Sequence, residues 1–126
     1  MGINVGLIGL GAMGRGMAQS LRRAGHNVHV HDVRAEAMAQ FAADGGVACA
    51  SPGAVAVACD VLFSVVVDAD QTEAVLFGRD GAAAAMRPGS VFAMCSTVAP
   101  TRAIDFEARL EAMGILFLDA PISGGA

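Results

Sequence analysis

The sequence predicts an α/β domain built on a doubly wound parallel sheet with helices on both faces. Short β-branched runs alternate along the chain with alanine-rich stretches that have helical spacing, and 55% of the 126 residues are hydrophobic, enough for a substantial core. Strands separated by helices require crossover connections, which give parallel pairing. Because this length suits one compact unit, we expect residues 1–126 to form a single domain.

The first half of the chain is expected to hold three strands and three helices. Met13, Met17 and Leu21 recur at i, i+4 and i+8, which indicates a helix that Gly25 ends. A serine at 51 followed by a proline at 52 marks another helix start. The predicted elements are strand 3–8, helix 12–24, strand 28–31, helix 34–43, strand 47–49 and helix 51–58.

The second half repeats the alternation. Residues 61–67 are nearly all apolar, which is typical of a central parallel strand buried on both faces. A proline–glycine turn at 88–89 precedes the fifth strand, and a glycine at 114 closes the last helix. The predicted elements are strand 61–67, helix 71–76, a helical turn at 82–85, strand 90–94, helix 100–113 and strand 115–118.

Composition excludes several classes of protein. The net charge is −4 and basic residues do not cluster, which argues against a nucleic-acid partner. Neither a secretory leader nor an apolar run of about 20 residues is found, so we expect a soluble, cytoplasmic protein without a membrane partner. Charged residues are only 16% of the chain, against about a quarter in typical domains. The low charged fraction predicts that part of the surface of this domain is covered by another protein surface.

The cysteines and histidines do not predict a metal site. The three cysteines are odd in number and lack metal or redox spacing, so we expect small buried residues. His29 and His31 share one face of a predicted strand, but no nearby residue supplies a third ligand.

A glycine motif opens the first predicted helix. Gly9 allows a tight turn off the strand, Gly11 lets the backbone approach a pyrophosphate, and Gly14 lets the helix pack closely on the sheet. The helix N-terminus offers free N–H groups and partial positive charge to phosphates. The strand–helix–strand context favours dinucleotide binding over a turn that merely packs. The motif consists of Gly9, Leu10, Gly11, Ala12, Met13 and Gly14.

An acidic residue ends the second predicted strand. Asp32 lies where such a carboxylate accepts hydrogen bonds from the adenosine ribose, and its charge repels a 2′-phosphate. The residue therefore favours NAD over NADP, although an arginine such as Arg34 can accommodate that phosphate. Val33 completes this cofactor-binding segment. The alternative is that Asp32 is only a solvated acid at a strand end.

Two further strand ends belong to the expected ligand-binding edge of the sheet. Val67 and Asp68 follow the fourth strand, and Ser96 and Thr97 follow the fifth. For the second pair, capping of the helix that begins near Pro100 is an equally good interpretation.

Three segments resemble the β-hydroxyacid dehydrogenases, a family that includes 3-hydroxyisobutyrate, tartronate semialdehyde and L-threonate dehydrogenases. They are VGLIGLGAMGRGMAQSL at 5–21, CSTVAP at 95–100 and DAPISGG at 119–125. The last is the most specific, because it resembles the family's substrate-binding signature. The opening segment is most similar to the threonate and tartronate semialdehyde branch.

The resemblance implies roles for particular residues. Ser123, Gly124 and Gly125 would hold the carboxylate of a small hydroxy acid, through donors suited to that anion. Thr97 would contact the cofactor near its nicotinamide end. Two departures are an alanine at 99, where the family often has serine, and the segment 65–68, where many members carry proline. The resemblance also implies that Val66, Val67 and Asp68 line the cofactor path.

The family's general acid/base is a lysine in a helical second domain beyond residue 126, and this sequence contains no lysine. The resemblance therefore implies an NAD-binding fragment of a dehydrogenase that is inactive alone and, at full length, a homo-oligomer. The alternatives are a free-standing sensor or carrier of the dinucleotide and, less favoured, an imine reductase, which shares the architecture.

Overall fold

A computed structural model describes residues 2–122 and shows six parallel strands in one sheet. In chain order the elements are β1 (Asn4–Ile8), α1 (Ala12–Arg23), β2 (Asn27–His31), α2 (Ala35–Ala43), β3 (Val47–Ala48), α3 (Pro52–Ala58), β4 (Val61–Ser64), α4 (Ala69–Phe77), a 3-10 turn (Ala83–Ala85), β5 (Val91–Met94), α5 (Pro100–Glu111) and β6 (Leu116–Asp119). The strand order is β3-β2-β1-β4-β5-β6, so the chain winds outward in both directions from β1. The predicted fold class is confirmed.

The fourth strand is shorter than the apolar run that predicted it. β4 ends at Ser64, which pairs with Ile8 of β1 and with Met94 of β5. The next three residues leave the sheet, and Val67 is 78% exposed. The prediction of a strand over 61–67 was therefore wrong at its end. A run of valines fits the wall of an apolar cleft as well as a strand, and periodicity cannot separate the two.

Local capping sets several helix bounds as expected. The Ser51 hydroxyl accepts a hydrogen bond from the Ala54 N–H, and Pro52 occupies the first turn of α3. Gly25 follows α1 with a φ of 95°, a conformation that favours glycine. α4 begins earlier than predicted, because the Asp68 carboxylate caps it by accepting the Gln71 N–H at 2.9 Å.

The helices divide between the two faces of the sheet and form two apolar cores. α1 and α2 pack over β1 and β2 in a core that includes Leu7, Val30 and Phe41, each at most 2% exposed. On the opposite face α3, α4 and α5 pack over a larger core that includes Leu62 and Phe92. Within residues 2–122, no helix is long and apolar enough to span a bilayer.

Candidate dinucleotide-binding site

The glycine loop lies where the strand order reverses. It leaves β1, which has β2 on one side and β4 on the other, and this is the position at which open α/β sheets bind ligands. The Gly9 N–H donates to the His31 carbonyl at 3.0 Å, and Gly9 has a φ of 105°. A Cβ on Gly14 would overlap the Gly9 carbonyl oxygen. Gly9 and Gly14 are therefore required by the loop itself.

The backbone at Gly11, unlike that at Gly9 and Gly14, does not require glycine. Its backbone is extended, with φ −65° and ψ −177°, which any residue adopts. A Cβ built there would meet nothing within 4 Å among the described residues. The fold therefore does not need glycine at this position, whereas a ligand that approaches the backbone closely would.

The start of α1 adds a second ligand-binding feature. Gly11 is the N-cap residue and provides no side-chain hydrogen bond to the first turn of this 12-residue helix. The first N–H groups of a helix have no partner within the helix and carry partial positive charge. The loop and helix start together form a cradle suited to a pyrophosphate.

Asp32 is buried against the glycine loop, at 8% exposure. One carboxylate oxygen accepts the Leu10 N–H at 2.6 Å, and the other accepts the Arg34 N–H at 2.8 Å and Nε at 3.1 Å. Burial opposes ionisation, but the hydrogen bonds from Arg34 and Leu10 outweigh it, so the pKa of Asp32 lies below its ordinary value of 3.8. The carboxylate is charged at neutral pH and holds the loop against the end of β2.

Arg34 closes this corner of the cleft. Its Nη2 donates to the Leu10 carbonyl at 2.9 Å while its Nε binds Asp32. The hydrogen bond to Asp32 raises the pKa of Arg34, and the side chain is 52% exposed. The guanidinium thus braces the loop from the solvent side.

An apolar cleft runs from the glycine loop toward α4, and it brings together seven of the residues predicted from the sequence. They are Gly9, Gly11, Asp32, Val33, Arg34, Val66 and Val67. Six predicted residues do not line it: Leu10, Ala12, Met13, Gly14, Asp68 and Thr97. The Leu10 side chain is buried in the core beneath α1, and Thr97 is exposed.

Other lining residues were missed by the sequence analysis. They are Ile8 and His31 at the ends of β1 and β2, Val65 after β4, Pro52 of α3, and Gln71, Ala74 and Val75 of α4. The position of Ile8 and His31 at strand ends could have indicated these two, and the spacing of Asp68 and Gln71, typical of a helix start with reciprocal capping, could have indicated Gln71. The others reach the cleft through tertiary packing.

The loop that forms the far wall, residues 65–67, is held at several points. The Ser96 hydroxyl donates to the Val66 carbonyl at 2.6 Å. The Val67 N–H donates to the Gln71 side-chain oxygen at 3.0 Å. α5 begins after Ala99, which makes no side-chain cap. The capping interpretation of Ser96 is therefore wrong: the serine anchors the wall of the cleft.

The predicted substrate-binding residues Ser123, Gly124 and Gly125 lie outside the described residues. Within residues 2–122, no three histidine, cysteine or acidic side chains are grouped closely enough to hold a metal ion. Cys59 and Cys95 are buried, and burial raises the pKa of Cys59 to about 12, which leaves it an inert thiol at neutral pH.

The strand order, the glycine loop at the switch point and the acid at the end of β2 define a Rossmann-type dinucleotide-binding domain. Residues 4–126 match the family described as the NAD binding domain of 6-phosphogluconate dehydrogenase, and the chain belongs to that family. The resemblance inferred from the three sequence segments is confirmed.

Several curated and structural relatives are named as dehydrogenases of hydroxy acids. An L-threonate dehydrogenase of Cupriavidus necator is 56% identical over 126 residues, which is all of this chain and 42% of that protein. The crystal structure of a 3-hydroxyisobutyrate dehydrogenase from Salmonella typhimurium superposes with a TM-score of 0.91 at 42% identity, over 96% of this chain and 42% of that one. The structure of a 3-hydroxyisobutyrate dehydrogenase from Mycobacterium tuberculosis, described with L-serine, superposes with a TM-score of 0.89 at 33% sequence identity. The superposition covers 99% of this chain and 42% of that one. The chain thus spans less than half the length of these relatives.

Proposed function

We propose that this chain is the cofactor-binding part of an NAD-dependent dehydrogenase that acts on a small hydroxy acid. The observation that carries the proposal is Gly11, a glycine that the fold does not require, located at the start of a helix and facing the cleft. A dinucleotide pyrophosphate needs such an approach to the backbone. The names of the relatives support the hydroxy-acid class.

The residues present fit a dinucleotide along the length of the cleft. The glycine loop and the first N–H groups of α1 would hold the pyrophosphate. Asp32 would accept a hydrogen bond from the adenosine ribose at Oδ2, in place of the long 3.4 Å contact that Arg34 Nη2 makes there. Val66 and Val67 would exclude water from one side. When bound, the nicotinamide would supply the site of hydride transfer.

NAD is proposed over NADP because of the charges of Asp32 and Arg34 at one corner of the cleft. Asp32 is ionised, since its pKa lies below 3.8, and it would repel a 2′-phosphate. Arg34, the residue that could attract that phosphate, already binds the Asp32 carboxylate and the Leu10 carbonyl. A 2′-phosphate would therefore find only the Nη1 donors of Arg34 free, and it would lie beside the charged Asp32 carboxylate.

Catalysis is proposed to need residues outside this sequence. Removal of the hydroxyl proton needs a general base, and the family resemblance assigns that role to a lysine that this chain lacks. The substrate carboxylate is proposed to bind Ser123, Gly124 and Gly125. The second candidate is a dinucleotide sensor or carrier, which the same cleft would support without catalysis.

The experiment is a fluorescence titration of the 126-residue chain with NADH and NADPH, followed by a turnover assay with NAD and L-threonate. We expect NADH to bind more tightly than NADPH and no turnover. Asp32→Ala should weaken NADH binding by about 1–3 kcal/mol, the cost of losing hydrogen bonds to a charged group. Equal affinity for the two dinucleotides contradicts the NAD preference, and measurable turnover contradicts the missing base.

A further inference from the structure

One face of the sheet is only half covered by the described helices. Residues paired on adjacent strands project to the same face, so rows of side chains cross the sheet. Both rows on this face are apolar from end to end. They are Val30–Leu7–Phe63–Ala93–Leu118 and Val28–Val5–Val61–Val91–Leu116.

Both rows are most exposed at their β6 end, although Ala93 in the first row is only 1% exposed. Leu7 is 0% exposed beneath α1 and α2, whereas Leu118 at the far end of its row is 53% exposed and Leu116 is 59% exposed. α1 and α2 cover β1 to β3, and the three remaining helices pack on the opposite face. We call the far part of these rows the β4–β6 apolar face; it consists of Val61, Phe63, Val91, Ala93, Leu116 and Leu118.

This face has the width of one missing helix. Its three strands are spaced by about 4.8 Å each, so the outer two lie about 10 Å apart, which matches the diameter of a helix with its side chains. An open groove between α1 and Phe63, lined also by Met17 and Leu21, borders the face. A helix packed beside α1 would fill the groove and bury the exposed leucines.

We propose that the β4–β6 apolar face is the docking site for an apolar helix face from the polypeptide by which the longer relatives exceed this chain. Parallel sheets are covered on both faces, and contiguous apolar patches mark interaction sites. The chain accounts for 42% of the Cupriavidus necator relative, so more than half of that protein remains to supply the cover. The absence of any charge in the two rows requires an apolar partner. This proposal does not rest on dinucleotide binding.

The test compares the 126-residue chain with a fusion in which residue 126 is followed by the remaining C-terminal part of the Cupriavidus necator relative. Leu118→Gln is made in both. The matched control is Ile104→Gln, because Ile104 is 65% exposed on α5, on the opposite face. In the fusion we expect Leu118→Gln to lower Tm by about 4 °C, since it would remove a buried side chain. In the chain alone it should shift Tm by about 1 °C at most and halve the fluorescence of a bound apolar dye.

Two outcomes overturn the proposal. In one, Leu118→Gln and Ile104→Gln shift the Tm of the fusion equally. In the other, sedimentation shows a dimer of the chain that Leu118→Gln dissociates while the fusion is unaffected, so the occupant is a second copy. If the fusion does not fold, the remainder is added in trans and hydrogen exchange is measured at residues 116–119. Slowing by about tenfold supports the proposal, and unchanged exchange overturns it. Because no readout involves NADH, failure of this proposal can be distinguished from failure of the proposed function.

Discussion

The Ser96 hydroxyl donates a 2.6 Å hydrogen bond to the carbonyl of Val66, thirty residues earlier in the chain. Ser96 follows β5 and is 4% exposed, whereas Val66 lies on the far wall of the cleft. The bond ties the end of one strand to the loop that leaves its neighbour. The shape of the proposed dinucleotide site therefore depends on a residue that does not line it.

Ser96→Ala is expected to weaken NADH binding about fivefold and to lower the free energy of unfolding by about 1–2 kcal/mol, since it leaves the Val66 carbonyl without this donor. The control is Ser51→Ala, which removes the cap of α3 at a cost of about 1 kcal/mol. Titration with NADH and urea denaturation separate the effects. If both variants keep wild-type affinity, Ser96 is structural only and does not position the wall.

Gly14→Ala and Gly16→Ala form a matched pair in α1. A Cβ at Gly14 would overlap the backbone of Gly9, which cannot move aside, whereas a Cβ at Gly16 would meet nothing within 4 Å. We expect Gly14→Ala to destabilise the fold by about 3 kcal/mol or more. Gly16→Ala should stabilise it by about 0.5–1 kcal/mol through helix propensity. Thermal unfolding checks both, and equal Tm values would contradict the close packing of α1 on the loop.

Acid should destabilise the wild type more than an Asp32→Asn variant. The pKa of Asp32 in the folded protein lies below 3.8, so its ionised form stabilises the fold above that pH. The stabilisation is lost as the pH falls through the folded pKa. Urea denaturation from pH 7 to pH 3 should show a steeper loss below about pH 4 in the wild type than in the variant.

The control for this pH series is Asp44→Asn, because Asp44 is exposed at the end of α2. It removes one carboxylate from an exposed position and so controls for the change in net charge. Coincident curves for Asp32→Asn and the wild type would show that the hydrogen bonds to Leu10 and Arg34 do not favour the carboxylate.

The glycine motif made the first strand–helix–strand unit predictable. Once residues 9–14 leave a strand and open a helix, and Asp32 ends the next strand, the β1–α1–β2 unit is determined by local chemistry alone. The later helices were indicated by caps such as Ser51 with Pro52. These signals are local, so no tertiary information was needed to place them.

The errors occurred where one pattern serves two structures. Val65 and Val66 continue the apolar run of β4 because they face the cleft, and the sequence could not show that the strand ends at Ser64. Ser96 precedes a helix at a spacing that suits a cap, yet its partner is the distant Val66 carbonyl. The position of Ala74 on the wall of the cleft depends on how α4 packs against the sheet, which no local motif encodes.

The most direct test of the account is the NADH dissociation constant of Gly11→Ala, measured beside its circular dichroism and Tm. The structure leaves open space for this methyl group, and alanine is a poorer N-cap than glycine, so we expect an unchanged fold and a Tm lowered by about 5 °C at most. Affinity for NADH should fall at least about a hundredfold, because the methyl group would occupy the approach of the pyrophosphate. A folded Gly11→Ala variant that binds NADH as tightly as the wild type would contradict the proposal that this loop holds a dinucleotide.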